Sequence, residues 1–300
     1  MAATASVRER DVAGNGSGRP RPRAGWRRFR ANGVAVASAV FLLSMYAVAA
    51  SGPAISPYSP NAVDISNTNA PPSAAHWFGT DESGRDVLAR AIAGARTTMT
   101  VGLIAMVIAI VIGAAVGSLA GYLGGWADTV LMRLTDGMLA IPYFFLVLVI
   151  VAVFGSSFWN IVASIGLISW MVVARIVRGE VLRYRGLDFV LAAQGLGATR
   201  ARILGRHIIP QTVPSIIVAA TFGVATAILL ESALSYLGLG IQPPQASWGN
   251  MLSNAQAYVW ENPLLPIYPG VLIVCTVLAY NFLGDALRDA LDPRYRESDV

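Results

Sequence analysis

The sequence predicts an all-α membrane protein with six transmembrane helices. Of its 300 residues, 55% are hydrophobic and only 13% are charged, which leaves too little polar surface for a soluble globule of ordinary composition. A helix needs about 20 predominantly apolar residues to cross a bilayer. Six stretches meet that requirement, and polar or Gly/Pro-rich breaks separate them: 33–52, 97–122, 134–154, 158–176, 214–237 and 268–286.

The basic residues indicate how these spans are oriented. All 22 are arginines, since the sequence contains no lysine. Most of them lie in the N-terminal tail or follow the second, fourth and sixth spans, whereas Arg85, Arg90 and Arg96 lie on the opposite side. Because basic flanks are retained in the cytoplasm, both termini are predicted to be cytoplasmic. The net charge of +5 therefore reflects topology, and we expect no binding to nucleic acid.

The chain is predicted to divide into five consecutive regions. They are a disordered basic cytoplasmic tail at 1–32, the first transmembrane helix at 33–52, an extracytoplasmic loop at 53–96, a helical core at 97–288 and a cytoplasmic tail at 289–300. The basic tail is expected to lie on anionic lipid headgroups. Within the loop, Ser83 is predicted to begin an amphipathic helix along the outer membrane interface.

The residue types exclude several kinds of chemistry. Without lysine, the chain can form neither a G-x-x-x-x-G-K-[ST] phosphate loop nor a Schiff base. Its single cysteine, Cys275, cannot form an intrachain disulfide, and His76 and His207 are too far apart in the predicted topology to share a metal. We therefore expect no catalytic residue, no metal site and no bound cofactor. An intramembrane hydrolase is disfavoured because no nucleophile and base lie at one membrane depth.

Small residues recur along the second span. Ala105, Ala109, Gly113, Gly117 and Gly121 follow one another every four residues and so share one face of a helix. Such a face lets a neighbouring helix approach closely. The pattern predicts tight packing against another span.

The segment from Arg175 to Pro214 is long for a connection between spans, and it is predicted to have a structure of its own. Asp188 can cap a short helix, and Gly197 can adopt a positive φ at the end of that helix. Thr199 can cap a second short helix, which Pro210 would close.

Two interpretations of this segment are possible. Its arginines either fix the topology and bind lipid phosphates, or they belong to a rigid lever that fits a partner protein. Two capped helices around a tight turn are more than topology requires, so the second interpretation is favoured.

Four blocks of the sequence resemble one family, the inner-membrane permease subunits of ATP-binding-cassette importers, and specifically the second permease of dipeptide and oligopeptide systems. The blocks are HWFGTDESGRDVLARAIAGAR at 76–96, AAQGLGATRARILGRHIIP at 192–210, ESALSYLGLGIQPPQASWGNML at 231–252 and GDALRDALDPR at 284–294. The resemblance implies a type I importer permease fold in the bacterial inner membrane, with its core at 97–288 and a loop at 177–213 that couples to an ATPase.

The family's cytoplasmic signature is Glu-Ala-Ala, three residues, Gly, nine residues, then Ile-x-Leu-Pro. Leu191 stands where this signature has glutamate, and His207 and Ile209 stand where it has isoleucine and leucine. The match and its surroundings identify the candidate coupling residues as Asp188, Ala192, Ala193, Gly197, Arg202, Arg206, His207 and Pro210.

The same resemblance implies the partners and the role of the chain. It would be a transport subunit and not an enzyme, because ATP and Mg²⁺ are used by partner ATPases. The implied partners are a homologous second permease in a heterodimer, one or two ATPase subunits, an extracytoplasmic peptide-binding lipoprotein and membrane lipids. The chain would form half of the pathway for di- and oligopeptides. The alternative cargo is another solute, such as a metal chelate or glutathione.

Glu231 lies in the outer half of the fifth span. An ionised carboxylate near mid-bilayer costs roughly 2.5–3.5 kcal/mol unless it faces a cavity or a partner. Glu231 is therefore predicted either to line the translocation pathway with Ser235 and Tyr236, or to pack one helix against the next through a hydrogen bond. A third alternative is a stand-alone proton-coupled carrier in which Glu231 titrates.

Overall fold

The computed structural model describes residue 27 and residues 29–291, and its regular structure is helical, as predicted. The predicted tails at 1–32 and 289–300 lie largely outside these residues. The helices are α1 (Gly33–Ala50), α2 (Gly52–Ile55), α3 (Val87–Leu123), α4 (Gly125–Leu139), α5 (Tyr143–Phe154), α6 (Phe158–Tyr184), α7 (Asp188–Gly195), α8 (Arg200–Ile203), α9 (Ile209–Tyr236), α10 (Trp248–Gln256) and α11 (Leu264–Leu291).

Within the described part of the chain, five helical segments are long and apolar enough to cross a membrane. They are α1, α3, α6, the run from α8 to the end of α9, and α11. The predicted third span at 134–154 is not one straight helix. Helices α4 and α5 together are long and apolar enough to cross, but they meet at an angle of 83°, so the described residues hold six spans if this pair counts as one bent span. Pro142 lies at the break with extended backbone (ψ 123°). A proline lacks an N–H group and disfavours helical geometry in the residue before it, so the helix cannot continue through this position.

Helix α3 begins differently from the prediction. The side chain of Asp86 caps it by accepting a hydrogen bond from the Ala89 backbone N–H at 2.7 Å, whereas Ser83 donates its own N–H to Asp81 at 2.9 Å. The first turns continue without a break into the membrane span and bury even the charged side chain of Arg90. The predicted amphipathic helix on the outer interface is therefore wrong, since this segment is packed inside the protein.

The small residues of α3 lie against α6, which confirms the predicted close packing. A Cβ atom added to Gly113 would come within 2.6 Å of the Val173 Cβ, and one added to Gly117 would collide with the Ala174 carbonyl oxygen. At Gly121 the nearest neighbour is again on α6. The two backbones approach so closely that these positions have no room for a side chain.

The remaining helices enclose this pair. Helix α9 packs against α3, α6 and α11, and α1 packs against α11, where the hydroxyl groups of Tyr46 and Tyr280 are 2.6 Å apart. Trp248 at the start of α10 is fully buried. Its indole Nε1–H donates to the Ala91 carbonyl at 3.0 Å, and its backbone N–H donates to Thr98 Oγ1 at 3.2 Å. Helix α10 is thereby fixed to α3.

Candidate functional site

Helix α7 ends in a turn that its backbone hydrogen bonds define. The N–H of Gly197 donates to the Gln194 carbonyl at 2.9 Å, and the N–H of Ala198 donates to the Ala193 carbonyl at 3.0 Å. Gly197 has a φ of +80°. This combination is the Schellman motif, in which the residue beyond the helix end is left-handed. The predicted positive φ of Gly197 at the end of this helix is confirmed.

The start of α7 corrects the prediction for Asp188. Leu187 occupies the cap position with extended backbone, and no side chain caps the helix there. Asp188 is instead the first helical residue, where its carboxylate lies near the positive end of the helix dipole. It contributes to the helix start through charge and not as the cap.

The prediction for the second short helix is confirmed at its beginning and wrong at its end. Thr199 caps α8 by accepting a hydrogen bond from the Arg202 N–H at 3.4 Å. Pro210 does not close this helix, because α8 continues through a π-helical turn at Leu204–Ile208 into α9. In that turn the N–H of Ile209 donates to the Leu204 carbonyl, five residues back. The wider turn accommodates the missing N–H of the proline.

Three buried side chains attach this region to the helical core. Val190 of α7 has no exposed surface, and neither has Ile208 of the π-helical turn, while Ile203 of α8 is 1% exposed. All three belong to the main hydrophobic cluster. Because packed interiors are close to rigid, these contacts hold α7 and α8 in fixed positions against the core.

The opposite face of the segment is open. Of the candidate coupling residues, Ala193 and His207 are half-buried, and the exposed ones are Asp188, Ala192, Gly197, Arg202, Arg206 and Pro210. Three apolar residues beside them are also exposed, and of these sequence analysis had noted only Leu191, as a departure from the family signature. Phe189 and Leu191 are 43% and 51% exposed, and Leu196 is 88% exposed. Exposed apolar side chains close together in this way mark a surface that can contact another protein or the membrane.

Two ion pairs between α4 and α6 brace the bent span next to this segment. Arg178 binds both carboxylate oxygens of Asp128, at 2.5 and 2.7 Å, and Arg175 lies 2.5 Å from Asp136. The partners are 50 and 39 residues apart, so no local spacing reveals them. Since α6 leads directly to α7, the pairs connect the bent span to the helix that carries the exposed face.

The bidentate pair is expected to contribute more to stability than the other. Asp128→Asn leaves a partly buried arginine without its counter-ion and should destabilise the protein by about 1–2 kcal/mol. Asp136→Asn removes a pair whose two side chains are about half exposed, 51% and 47%, and is expected to have little effect. Thermal unfolding in detergent measures both. Equal losses of stability in the two variants would contradict the larger contribution expected for the bidentate pair.

Glu231 and Ser235 lie inside the protein. Ser235 Oγ donates to Glu231 Oε1 at 2.7 Å and accepts from the Ile241 N–H at 3.0 Å. Glu231 is 0% and Ser235 is 2% exposed. This burial supports the helix-packing interpretation, in which the hydrogen bond holds α9 against the loop that follows it. The pathway role of both residues stays a prediction. Tyr236 is half-buried and donates to Gln256 Oε1 at 2.8 Å; its pathway role stays a prediction.

Two protein families match the chain. Residues 113–297, more than half of the sequence, match the binding-protein-dependent transport system inner membrane component. Residues 23–72 match the N-terminal TM domain of oligopeptide transport permease C. Together the two matches include α1, α2, the end of α3 from residue 113 onward and all the later helices.

Similar proteins of known name cover nearly the whole chain. A protein of Brucella suis biovar 1 (strain 1330), named as a peptide permease, is 42% identical over 269 residues, 89% of each chain. The glutathione transport system permease protein GsiD of Shigella flexneri serotype 5b is 43% identical over 272 residues, 90% of each. A solved chain of the MetNI methionine ABC transporter, in an inward-facing conformation, shares the fold with a TM-score of 0.56 at 19% identity, covering 68% of this chain and 96% of that one.

These matches agree with the apolar spans and with the helical segment between α6 and α9. A permease subunit of this kind works with ATPase chains and a second permease, and the subunit itself is not an enzyme. The chain therefore belongs to the family of binding-protein-dependent transport system inner membrane components, as a multi-pass permease subunit of an ATP-binding-cassette importer.

Proposed function

We propose that this permease imports short peptides and that a partner ATPase docks on α7 and the turn at Gly197. The cargo is inferred from the relatives: one is named for peptides and another for glutathione, which is itself a tripeptide. Both names point to a small peptide backbone with free charged groups. Glutathione is the alternative cargo within this class.

The proposed docking site rests on one observation: one face of the segment at α7 and α8 is buried in the core, while its opposite face is exposed. Val190 and Ile203 hold the segment to the core, while Phe189 and Leu196 project apolar surface beside exposed arginines. A groove on an ATPase that accepts α7 would bury that apolar surface. Leu191 stands where the family signature has glutamate, so the proposed contact between α7 and the ATPase is more apolar at this position.

In the proposed cycle, ATP and Mg²⁺ bind only to the ATPase chains, and their closure displaces α7. The α3–α6 pair and the ion pair between Asp128 and Arg178 then move with it, so that the pathway formed with the second permease opens to alternate sides. The proposal places both termini and α7 in the cytoplasm, in agreement with the positions of the arginines. The permease core spans 97–288, with the coupling loop at 177–213, and an extracytoplasmic lipoprotein delivers the peptide.

Reconstitution tests the proposal. The chain is placed in proteoliposomes with its second permease, its ATPases and its binding protein, and uptake of radiolabelled trialanine is followed. We expect uptake to require ATP and to persist when an uncoupler dissipates the proton gradient. Uptake of glutathione with no uptake of trialanine would assign the alternative cargo. Proton-driven uptake by this chain alone would contradict the proposal and support a carrier.

A further inference from the structure

A cavity of about 690 Å³ opens beside the first turns of α3. Its walls are the loop at 56–61, one face of α3, Phe158 at the start of α6, and Gln245 in the loop before α10. The volume is within the range of pockets that hold small ligands, roughly 300–1,000 Å³. Neither the coupling segment nor the Glu231 cluster contributes to it.

Arg96 is the charged side chain in the wall of this cavity, and it is exposed. Among the described residues it forms no ion pair. The acidic residues that precede α3 have other partners: Asp64 binds Ser66 and Asn67, Asp81 binds Arg85 and Arg90, Glu82 binds Arg85, and Asp86 binds His76. The positive charge in the cavity is therefore not neutralised by its own loop.

Arg96 is the tenth residue of α3, roughly 13 Å along the helix axis from its start. The predicted membrane span begins at the next residue, so Arg96 stands at the outer end of that span and in the wall of the cavity. A guanidinium group offers five N–H donors in a planar fork that fits a carboxylate. The ligand that its chemistry favours carries a carboxylate.

The other walls suit the rest of a short peptide. Gln245 and Tyr58 bring an amide and a hydroxyl group to the cavity, and the Gln245 amide lies 3.5 Å from Thr97 Oγ1. Ile92 and Phe158 supply apolar surface. Polar groups of this kind can bind peptide N–H and carbonyl groups, while the apolar surface accepts side chains.

We propose that this cavity, which lies beside the loop that precedes α3, receives the peptide and that Arg96 binds the terminal carboxylate of the peptide. The inference rests on the proposed function for the class of cargo. It adds a binding site within this chain, separate from any site on the binding protein.

Chemical modification tests the site directly. In the assembled importer, phenylglyoxal is allowed to react with arginines, and mass spectrometry follows Arg96 and Arg133, an exposed arginine of α4 outside the cavity. We expect trialanine to slow the modification of Arg96 several-fold, trialanine amide to leave it unchanged, and neither to affect Arg133. An Arg96 that never reacts is covered by a neighbouring subunit, and one that only phosphatidylglycerol protects holds a lipid headgroup. Either result would overturn the proposal.

Uptake gives the second measurement. Arg96→Gln is expected to lower ATP-driven uptake of trialanine about tenfold, as the loss of one charge-assisted pair predicts. Arg96→Lys should retain part of it, and Arg133→Gln should have no effect. Peptide uptake without protection of Arg96 would reject the site and leave the proposed function standing. Protection without any peptide uptake would reject the proposed function and retain a carboxylate site.

Discussion

Replacing Gly197 with valine is expected to abolish ATP-driven uptake while membrane insertion and the helical core remain intact. Gly197 has a φ of +80°, a conformation that costs roughly 1–2 kcal/mol for residues with a side chain and more for β-branched ones. No heavy atom lies within 4 Å of an added Cβ, so the effect comes from the backbone and not from a collision. Valine therefore breaks the Schellman turn and misplaces α7 without disturbing the packing beneath it.

Two control variants separate coupling from general damage. Gly197→Asn should keep most of the uptake, because asparagine tolerates the left-handed conformation. Gly137→Ala, on α4 outside the proposed docking surface and also with nothing within 4 Å of an added Cβ, should have no effect. The measurement is the number of ATP molecules hydrolysed per peptide imported, together with the yield of folded complex. Normal coupling in the valine variant would exclude this turn as the docking site.

The parts of the fold that sequence analysis predicted correctly are those with a local signal. Gly197 ends α7, Thr199 caps α8, and the small residues near Gly117 pack against α6, because each depends on a single residue type or a short repeat. The break at Pro142 also had a local signal. Hydropathy outweighed it, since the apolar stretch continues on both sides of the proline.

Other features depend on contacts between distant residues. The partners of Asp128 and Asp136 are many residues away on α6, and nothing in either neighbourhood indicates them. For Glu231 the sequence left two interpretations open, a wall of the pathway and a hydrogen bond between helices. Ser235, one turn later on the same helix, binds Oε1 of Glu231 inside the protein, whereas Oε2 has no hydrogen-bond partner among the described residues. The burial of a side chain depends on how distant helices pack around it, and sequence position does not supply that information.

Gly117→Leu is expected to prevent the chain from accumulating as folded protein. The Ala174 carbonyl oxygen and the Val177 side chain occupy the space next to Gly117. A leucine there must separate α3 from α6 along the most extensive helix contact in the described part of the chain, because neither backbone can move locally. Overpacking typically costs 1–3 kcal/mol, and a collision with backbone is at the upper end of that range. A membrane protein of ordinary marginal stability does not tolerate such a loss.

The matched control is Gly179→Leu on α6 itself, a position where an added Cβ meets nothing within 4 Å. It introduces the same side chain into the same helix pair on the exposed face and should leave the yield unchanged. Size-exclusion profiles of the protein in detergent, with thermal unfolding of whatever is recovered, measure both variants. A monodisperse, stable Gly117→Leu protein would mean that α3 and α6 are farther apart than described. The proposed transmission of movement from α7 to the spans would then need another pair of helices.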